Sequence, residues 1–157
     1  KQFKTDLTIV RAVVSSNDKR KFLLTKRLEE ILHGKLKNKT ITFLGVTFKP
    51  NTDDMRESSS IPMIKYLNKK NSNIRYYDPS GEKNEFKGLK NVHYHNSIRE
   101  ACLRSDLIVI HTEWNDFKLI DFKKIVKKKN FIIYDMRNIY SPIKMRKLNI
   151  KYYGVGR

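Results

Sequence analysis

The sequence predicts an α/β fold: a Rossmann-like, doubly wound, mostly parallel sheet preceded by a long N-terminal helix. Three observations carry this. Short β-branched and aromatic runs such as "TITFLGV", "DLIVIHT" and "NFIIYDM" read as buried strands. Segments of helical periodicity separate them, the alternation expected of parallel βαβ crossovers. Ahead of the first strand, apolar residues recur at three- and four-residue steps over nearly thirty positions.

The helix spans about Asp6 to His33, with Leu7, Val10, Val14, Leu24, Leu28 and Ile31 near one face. "SSND" at 15–18 either starts a second helix or lies inside one long helix. In the second case Asn17 sits on the apolar stripe, either as an ordinary cap-type residue or as a polar contact to a partner helix. Gly34 is the expected C′ stop. After the strand "TITFLGV", the serines at 58–60 supply an N-cap for the helix "IPMIKYLNKK", with Pro62 in its first turn. "NIRYYD" is a strand ended by the turn "DPSG". "SIREACLRS" is a helix with Ser97 as N-cap and Glu100 three residues on, a capping box. "DLIVIHT" is a strand, "FKLIDFKKIVKKK" a helix and "NFIIYDM" a strand. "SPIKMRKLN" is a short helix with Ser141 as N-cap and Pro142 at N1, and "IKYYGVG" is the last strand. The one boundary falls near 34–38.

The 157 residues suffice for one domain with a core and one appended element. The chain starts without Met, as a piece of something longer does. It opens with no signal-peptide pattern and contains no apolar run of membrane-spanning length. Cys102 is the only cysteine, which excludes a disulfide framework and a Cys-based zinc site and fits a reducing cytoplasm. A net charge of +18 invites a polyanion partner. The lysines are scattered, however, and no aromatic-interleaved strand motif, recognition helix or zinc knuckle accompanies them. Abundant Lys, Asn, Ile and Tyr match the composition of AT-rich genomes, so nucleic acid is not the expected partner.

In open α/β sheets, ligands bind beyond the carboxyl ends of the strands. Three loops leave such ends: "GVTFKPNTDDMRESSS" (45–60), "HTEWND" (111–116) and "DMRNIY" (135–140). They carry Lys49, Arg56 and Arg137, a set suited to an anionic ligand such as a phosphate ester. The first loop is not a dinucleotide fingerprint, since only Gly45 is present where G-x-G-x-x-G is needed. The serines also expose N–H groups at a helix start, an anion-friendly position. By spacing alone, Asp53, Asp54, Arg56 and Glu57 read more simply as a surface salt-bridge cluster. Asp78 reads as part of a turn, and Cys102 as a small buried thiol.

The first loop closely resembles the loop that opens the C-terminal domain of the UDP-glucose 6-dehydrogenase family, within the nucleotide-sugar dehydrogenases. "HTEWNDF" and "YDMRNIY" resemble two later motifs of that family in the same order, and "YYDP" and "YYGVGR" fit too. "VRAVVSSNDKRK" is similar to the end of the family's central helix. The resemblance covers essentially the whole chain. It implies a two-fold oxidation of UDP-glucose to UDP-glucuronate with two NAD⁺, in a cytoplasmic homodimer joined through the central helix. Residues 1–34 then correspond to the end of that helix, and 35–157 to the UDP-glucose-binding domain. Phe48, Lys49 and Arg137 are implied to contact the substrate, and Arg56 the NAD. Asp53, Asp54 and Glu57 are expected to orient Lys49 and Arg56. Glu113 and Trp114 either shape the cleft or subunit contact or form a packed loop. The NAD-binding domain and the catalytic cysteine are implied to lie upstream of these residues, so no catalytic residue and no metal are expected here. The alternative is a stand-alone nucleotide-binding remnant or interaction module.

Overall fold

The computed structural model describes residues 7–156. Asp6 and Arg157, which the sequence reading includes in the first helix and the closing motif, lie outside them. The first helix, α1 (Thr8–Ile31), is one rod of 24 residues. "SSND" therefore lies inside it, and Asn17 is an exposed mid-helix residue. Only the last two turns pack: Thr25, Leu28 and Ile31 are buried, whereas Ile9 and Phe22 are 80% and 67% exposed. The helix stops one position before the expected glycine. His33 takes the left-handed C′ conformation (φ 52). The Gly34 N–H bonds the Glu29 carbonyl and the His33 N–H bonds that of Glu30, the pair of bonds that defines a Schellman stop.

Six strands follow: β1 (Thr40–Leu44), β2 (Asn73–Tyr77), β3 (Val92–Tyr94), β4 (Leu107–Ile110), β5 (Ile132–Asp135) and β6 (Lys151–Gly154). Their order is β3-β2-β1-β4-β5-β6, and every neighbouring pair is parallel. The order reverses between β1 and β4, which opens a crevice at their carboxyl ends. The helices α2 (Ser60–Lys69), α3 (Ile98–Cys102), α4 (Phe122–Val126) and α5 (Pro142–Lys147) make four of the five crossovers, and the β2–β3 connection carries only a 3-10 turn at Asn84–Phe86. Alternate strand residues point to opposite faces. Ile41, Phe43, Leu107 and Val109 pack with Leu28 of α1 and Met63, Ile64 and Leu67 of α2. Leu44, Ile108, Ile110 and Ile133 pack on the other face with Cys102, Phe122, Val126 and Met145. With each such side chain contributing roughly 1.5–3 kcal/mol, these two layers carry the fold; the solvated half of α1 adds little.

Three expectations need correction. Strand β3 was not anticipated: "VHY" is too short for a periodicity to show, and it is defined by pairing with β2 (Ile74 opposite Val92). The segment "FKLIDFKKIVKKK" is not one helix. A 3-10 turn covers Asn115–Phe117; Asp121 then caps α4 by accepting the Lys124 N–H at 3.2 Å, and Lys127 ends it at φ 50. Phe117 and Phe122 are both buried, and five residues would set them about 140° apart on a continuous helix. The serines of the first loop also differ from expectation. Ser59 is the N-cap of α2 but makes no side-chain cap bond. Ser58 and Ser60 turn inward, and each hydroxyl lies 2.6 Å from the Val46 carbonyl it bonds. The expected caps at Ser97 and Ser141 are present, accepting from Glu100 and Lys144.

Gly45 leaves β1 at φ 74, and a Cβ there would stand 2.6 Å from the Cβ of Thr112. Left-handed strain and overpacking then act together, so Gly45→Ala is expected to destabilise the fold by about 2–4 kcal/mol. Urea unfolding checks this through a lower midpoint at unchanged slope. A variant as stable as its parent would contradict the close approach of the two loops.

Candidate functional site

The loop leaving β1 is held by a carboxylate from the neighbouring strand. Asp78 follows β2 and is fully buried. Its Oδ2 accepts the Val46 N–H at 2.7 Å and the Thr47 N–H at 3.3 Å. Its Oδ1 accepts the Ser80 hydroxyl at 2.5 Å and the Ser80 N–H at 3.0 Å. The Lys83 ammonium donates to the same serine oxygen at 2.7 Å. A buried carboxylate persists only when donors surround it in this way. Asp78 thus makes the expected turn and also aims the first loop. Asp135 does the same for the third loop, accepting the Arg137 N–H at 3.0 Å through Oδ1. Its Oδ2 accepts the Tyr140 N–H at 3.0 Å and the Tyr152 hydroxyl at 2.9 Å.

Together with α1 these loops enclose a cleft of about 550 Å³. The first loop contributes Phe48, Lys49, Glu57 and Ser59, the second His111 and Glu113, and the third Met136 and Arg137. Phe48 is half exposed at 51%, an apolar ring at the mouth of a charged site. The Lys49 ammonium takes part in none of the ion pairs among the described residues, so its charge is available to a ligand. Arg137 joins all three loops. Its Nε donates to the His111 carbonyl at 2.7 Å and lies 2.9 Å from Oε2 of Glu113. Its Nη2 donates to the Phe48 carbonyl at 3.3 Å. Because the Nε hydrogen points at the His111 carbonyl, the Glu113 contact is an ion pair and not a second aligned hydrogen bond.

The structure therefore brings Phe48, Lys49 and Arg137 into one cleft. Arg56 stands outside that lining with its side chain 89% exposed. Asp54 grips it in a fork, Nε to Oδ1 at 3.0 Å and Nη2 to Oδ2 at 2.8 Å. Those contacts and the Arg56 N–H hold the Asp54 carboxyl down at about 2. The expectation for Glu57 needs correction: it pairs with neither Lys49 nor Arg56 but with Lys21 of α1 at 2.5 Å. Glu113 faces the cleft, whereas Trp114 packs into the core beneath it. The cleft wall from α1 escaped the sequence reading. Asn17, Arg20, Lys21 and Leu24 line it, and their i, i+3, i+4, i+7 spacing was the available signal. Cys102 is fully buried and its thiol is pushed up to about 12 by burial, so it is no nucleophile. Among the described residues no group of three or more His, Cys, Asp or Glu is placed to hold a metal, and no helix is long and apolar enough to cross a membrane.

His111 is 1% exposed. Burial, and then the neighbouring Arg137 charge, lower its pKa from 6.5 to about 3. Below pH 6.5 the unfolded chain takes up a proton that the folded chain refuses, so stability is complete above that pH and falls toward pH 3. One such group gives a slope of about 1.4 kcal/mol per pH unit. The stability difference between the parent and His111→Gln is expected to shrink as pH drops from 7 to 4, measured by urea unfolding. Parallel curves would mean that His111 is not held neutral.

The sequence profile of the UDP-glucose/GDP-mannose dehydrogenase family, UDP binding domain, matches residues 42–142. The UDP-glucose 6-dehydrogenase of Rickettsia felis is 40% identical over 154 residues, which cover 96% of this chain and 34% of that protein. The enzyme of the same name from Rhizobium meliloti is 34% identical, over 98% of this chain and 35% of its own length. Among solved structures, a UDP-D-ManNAc dehydrogenase from Pyrococcus horikoshii superposes with a TM-score of 0.77 and 26% identity, over 99% of this chain and 35% of that one. A UDP-glucose dehydrogenase from Pyrobaculum islandicum gives 0.74 and 27%, over 94% and 32%. The chain spans about a third of the length of these relatives. A parallel sheet whose strand-end loops meet in a cationic cleft, matched by that profile over most of its strands, belongs to the UDP-glucose/GDP-mannose dehydrogenase family, as its UDP-binding domain.

Proposed function

We propose that this chain holds the UDP-sugar in a cytoplasmic, NAD-dependent UDP-glucose 6-dehydrogenase that oxidises the C6 hydroxyl of UDP-glucose to the carboxylate, a sugar acid for polysaccharide synthesis. The observation that carries the reading is the meeting of Lys49 and Arg137 in one cleft at the carboxyl ends of β1, β4 and β5. An ammonium and a guanidinium offer charge-assisted hydrogen bonds to a diphosphate. The half-exposed Phe48 offers an apolar face beside them. Arg137 arrives already oriented by three loop contacts, which lowers the ordering cost of binding.

This sheet does not itself fit a dinucleotide. Asp78 stands where a dinucleotide-binding sheet holds a ribose, and its oxygens are taken by Val46, Thr47 and Ser80. Gly45 is the only glycine of the first loop. We therefore assign NAD to a part of the whole enzyme outside these residues, with the exposed Arg56 reaching toward it. Residues 1–34 correspond to the end of the central helix, with the exposed Leu7, Val10 and Val14 pairing with a second copy, and 35–157 correspond to the substrate-binding domain.

Lys49→Ala and Arg137→Ala are each expected to weaken UDP binding by about 1–3 kcal/mol. Arg56→Ala should leave it nearly intact. Calorimetry with UDP checks both, and unchanged affinity in both cleft variants would place the ligand elsewhere. Mixed with UDP-glucose and NAD⁺, the 157 residues alone should produce no NADH absorbance, because the only thiol is buried and the sheet has no dinucleotide loop. Turnover that survives Cys102→Ser would overturn this division of labour.

A further inference from the structure

Ser59 and His111 both line the cleft, and the hydrogen bonds around them fix where the protons are. The Thr112 hydroxyl donates its single hydrogen to the Thr47 carbonyl at 2.8 Å. Its oxygen lies 3.0 Å from Nδ1 of His111 and can only accept there, so Nδ1 carries the imidazole hydrogen. A neutral imidazole has one hydrogen, which leaves Nε2 a bare lone pair. Nε2 lies 2.9 Å from the Ser59 hydroxyl oxygen, so Ser59 is the donor of that bond. Its only hydrogen is therefore committed to His111 and is not offered to a ligand.

We propose that Ser59 is a specificity-determining residue of the cleft: a hydroxyl locked as a hydrogen-bond acceptor, which selects a ligand that presents an O–H or N–H at this point. The inference rests on reading the cleft as a nucleotide-sugar site, and it deepens that reading. Lys49 and Arg137 are donors and match phosphate oxygens. A site built from donors alone would hold any diphosphate. An acceptor in the same cleft matches a ligand that also bears a donor, and a phosphate oxygen placed against Ser59 would meet lone pairs. The serine–histidine pair is not an activated nucleophile. Accepting the serine proton would make His111 a cation, buried and beside Arg137, and both conditions oppose that charge.

Two measurements test this. In nitrogen-resolved NMR of the parent chain, His111 should show a protonated Nδ1 and a bare Nε2; a proton on Nε2 overturns the proposal without any variant. By calorimetry, Ser59→Ala, with its melting temperature recorded alongside, should weaken UDP-glucose binding roughly 5- to 20-fold, the effect of leaving a ligand donor unpaired. Affinity equal to the parent's overturns it. UDP as a second probe locates the donor: an equal loss places it on the nucleoside, and no loss places it on a hexose hydroxyl. Failure of the parent to bind either probe removes the nucleotide-sugar reading and this inference together, whereas binding by the parent with no effect of Ser59→Ala removes this inference alone.

Discussion

The bond from the Val46 N–H to the buried Asp78 carboxylate is the constraint on which the rest of the cleft depends. It sets the direction in which the first loop leaves β1, with Gly45 supplying the left-handed turn that direction needs. Once Thr47 is placed, its carbonyl receives Thr112, which orients His111, which in turn accepts the hydrogen bond of the Ser59 hydroxyl. Once Phe48 is placed, its carbonyl receives Arg137. One carboxylate thus determines the geometry of three loops that are far apart in sequence. A buried charge is an expensive way to do this, and it is tolerated because four donors from Val46, Thr47 and Ser80 surround it. No apolar residue in that position would satisfy the N–H groups of a loop turning away from its strand.

The charge within the cleft is more balanced than the +18 of the whole chain implies. Arg20, Lys21, Lys49 and Arg137 face Glu57 and Glu113 across the lining. Each carboxylate is committed to one cation, Glu57 to Lys21 and Glu113 to Arg137. Lys49 is in none of the ion pairs among the described residues. Glu113 and the His111 carbonyl restrict Arg137 to one orientation, so they trade some of its attraction for an anion against a fixed direction of approach. Most of the lysines lie outside the cleft, some of them paired elsewhere, as Lys39 and Lys128 are with Asp106, which is why total charge says little about the ligand.

The sheet was legible because burial on both faces writes itself into the sequence as unbroken apolar runs. Five of the six strands could be read in that way. β3 could not, since three residues at a sheet edge owe their conformation to pairing with β2 rather than to their own pattern. The break before α4 was hidden for a related reason: Phe117 and Phe122 are both apolar, and only the packed core decides that a straight helix cannot bury them together. In the cleft, Lys49 and Arg137 stood out because strand-end loops are where cations have a purpose. Asp78 and His111 did not, because their significance lies in which groups they meet, the Val46 N–H for one and the Ser59 hydroxyl for the other, and that is settled by tertiary contact between segments more than thirty residues apart.

The helix α1 joins the two halves of this picture. Its last turns belong to the core through Leu28 and Ile31, and Tyr66 of α2 ties it sideways by donating to Glu29 at 2.8 Å. About two turns earlier, Lys21 reaches Glu57, a residue of the first loop held at a left-handed φ of 60. Such a backbone conformation is costly for a residue with a Cβ and persists only where surrounding contacts hold it. Here the contact is an exposed ion pair, which by itself is weak, so the loop's own anchors must supply the rest: Met55 buried in the core, and Ser58 and Ser60 on the Val46 carbonyl. The far side of the loop is thus fixed to the same strand end as its near side. The helix closes the cleft as a wall without having to hold the loop in place.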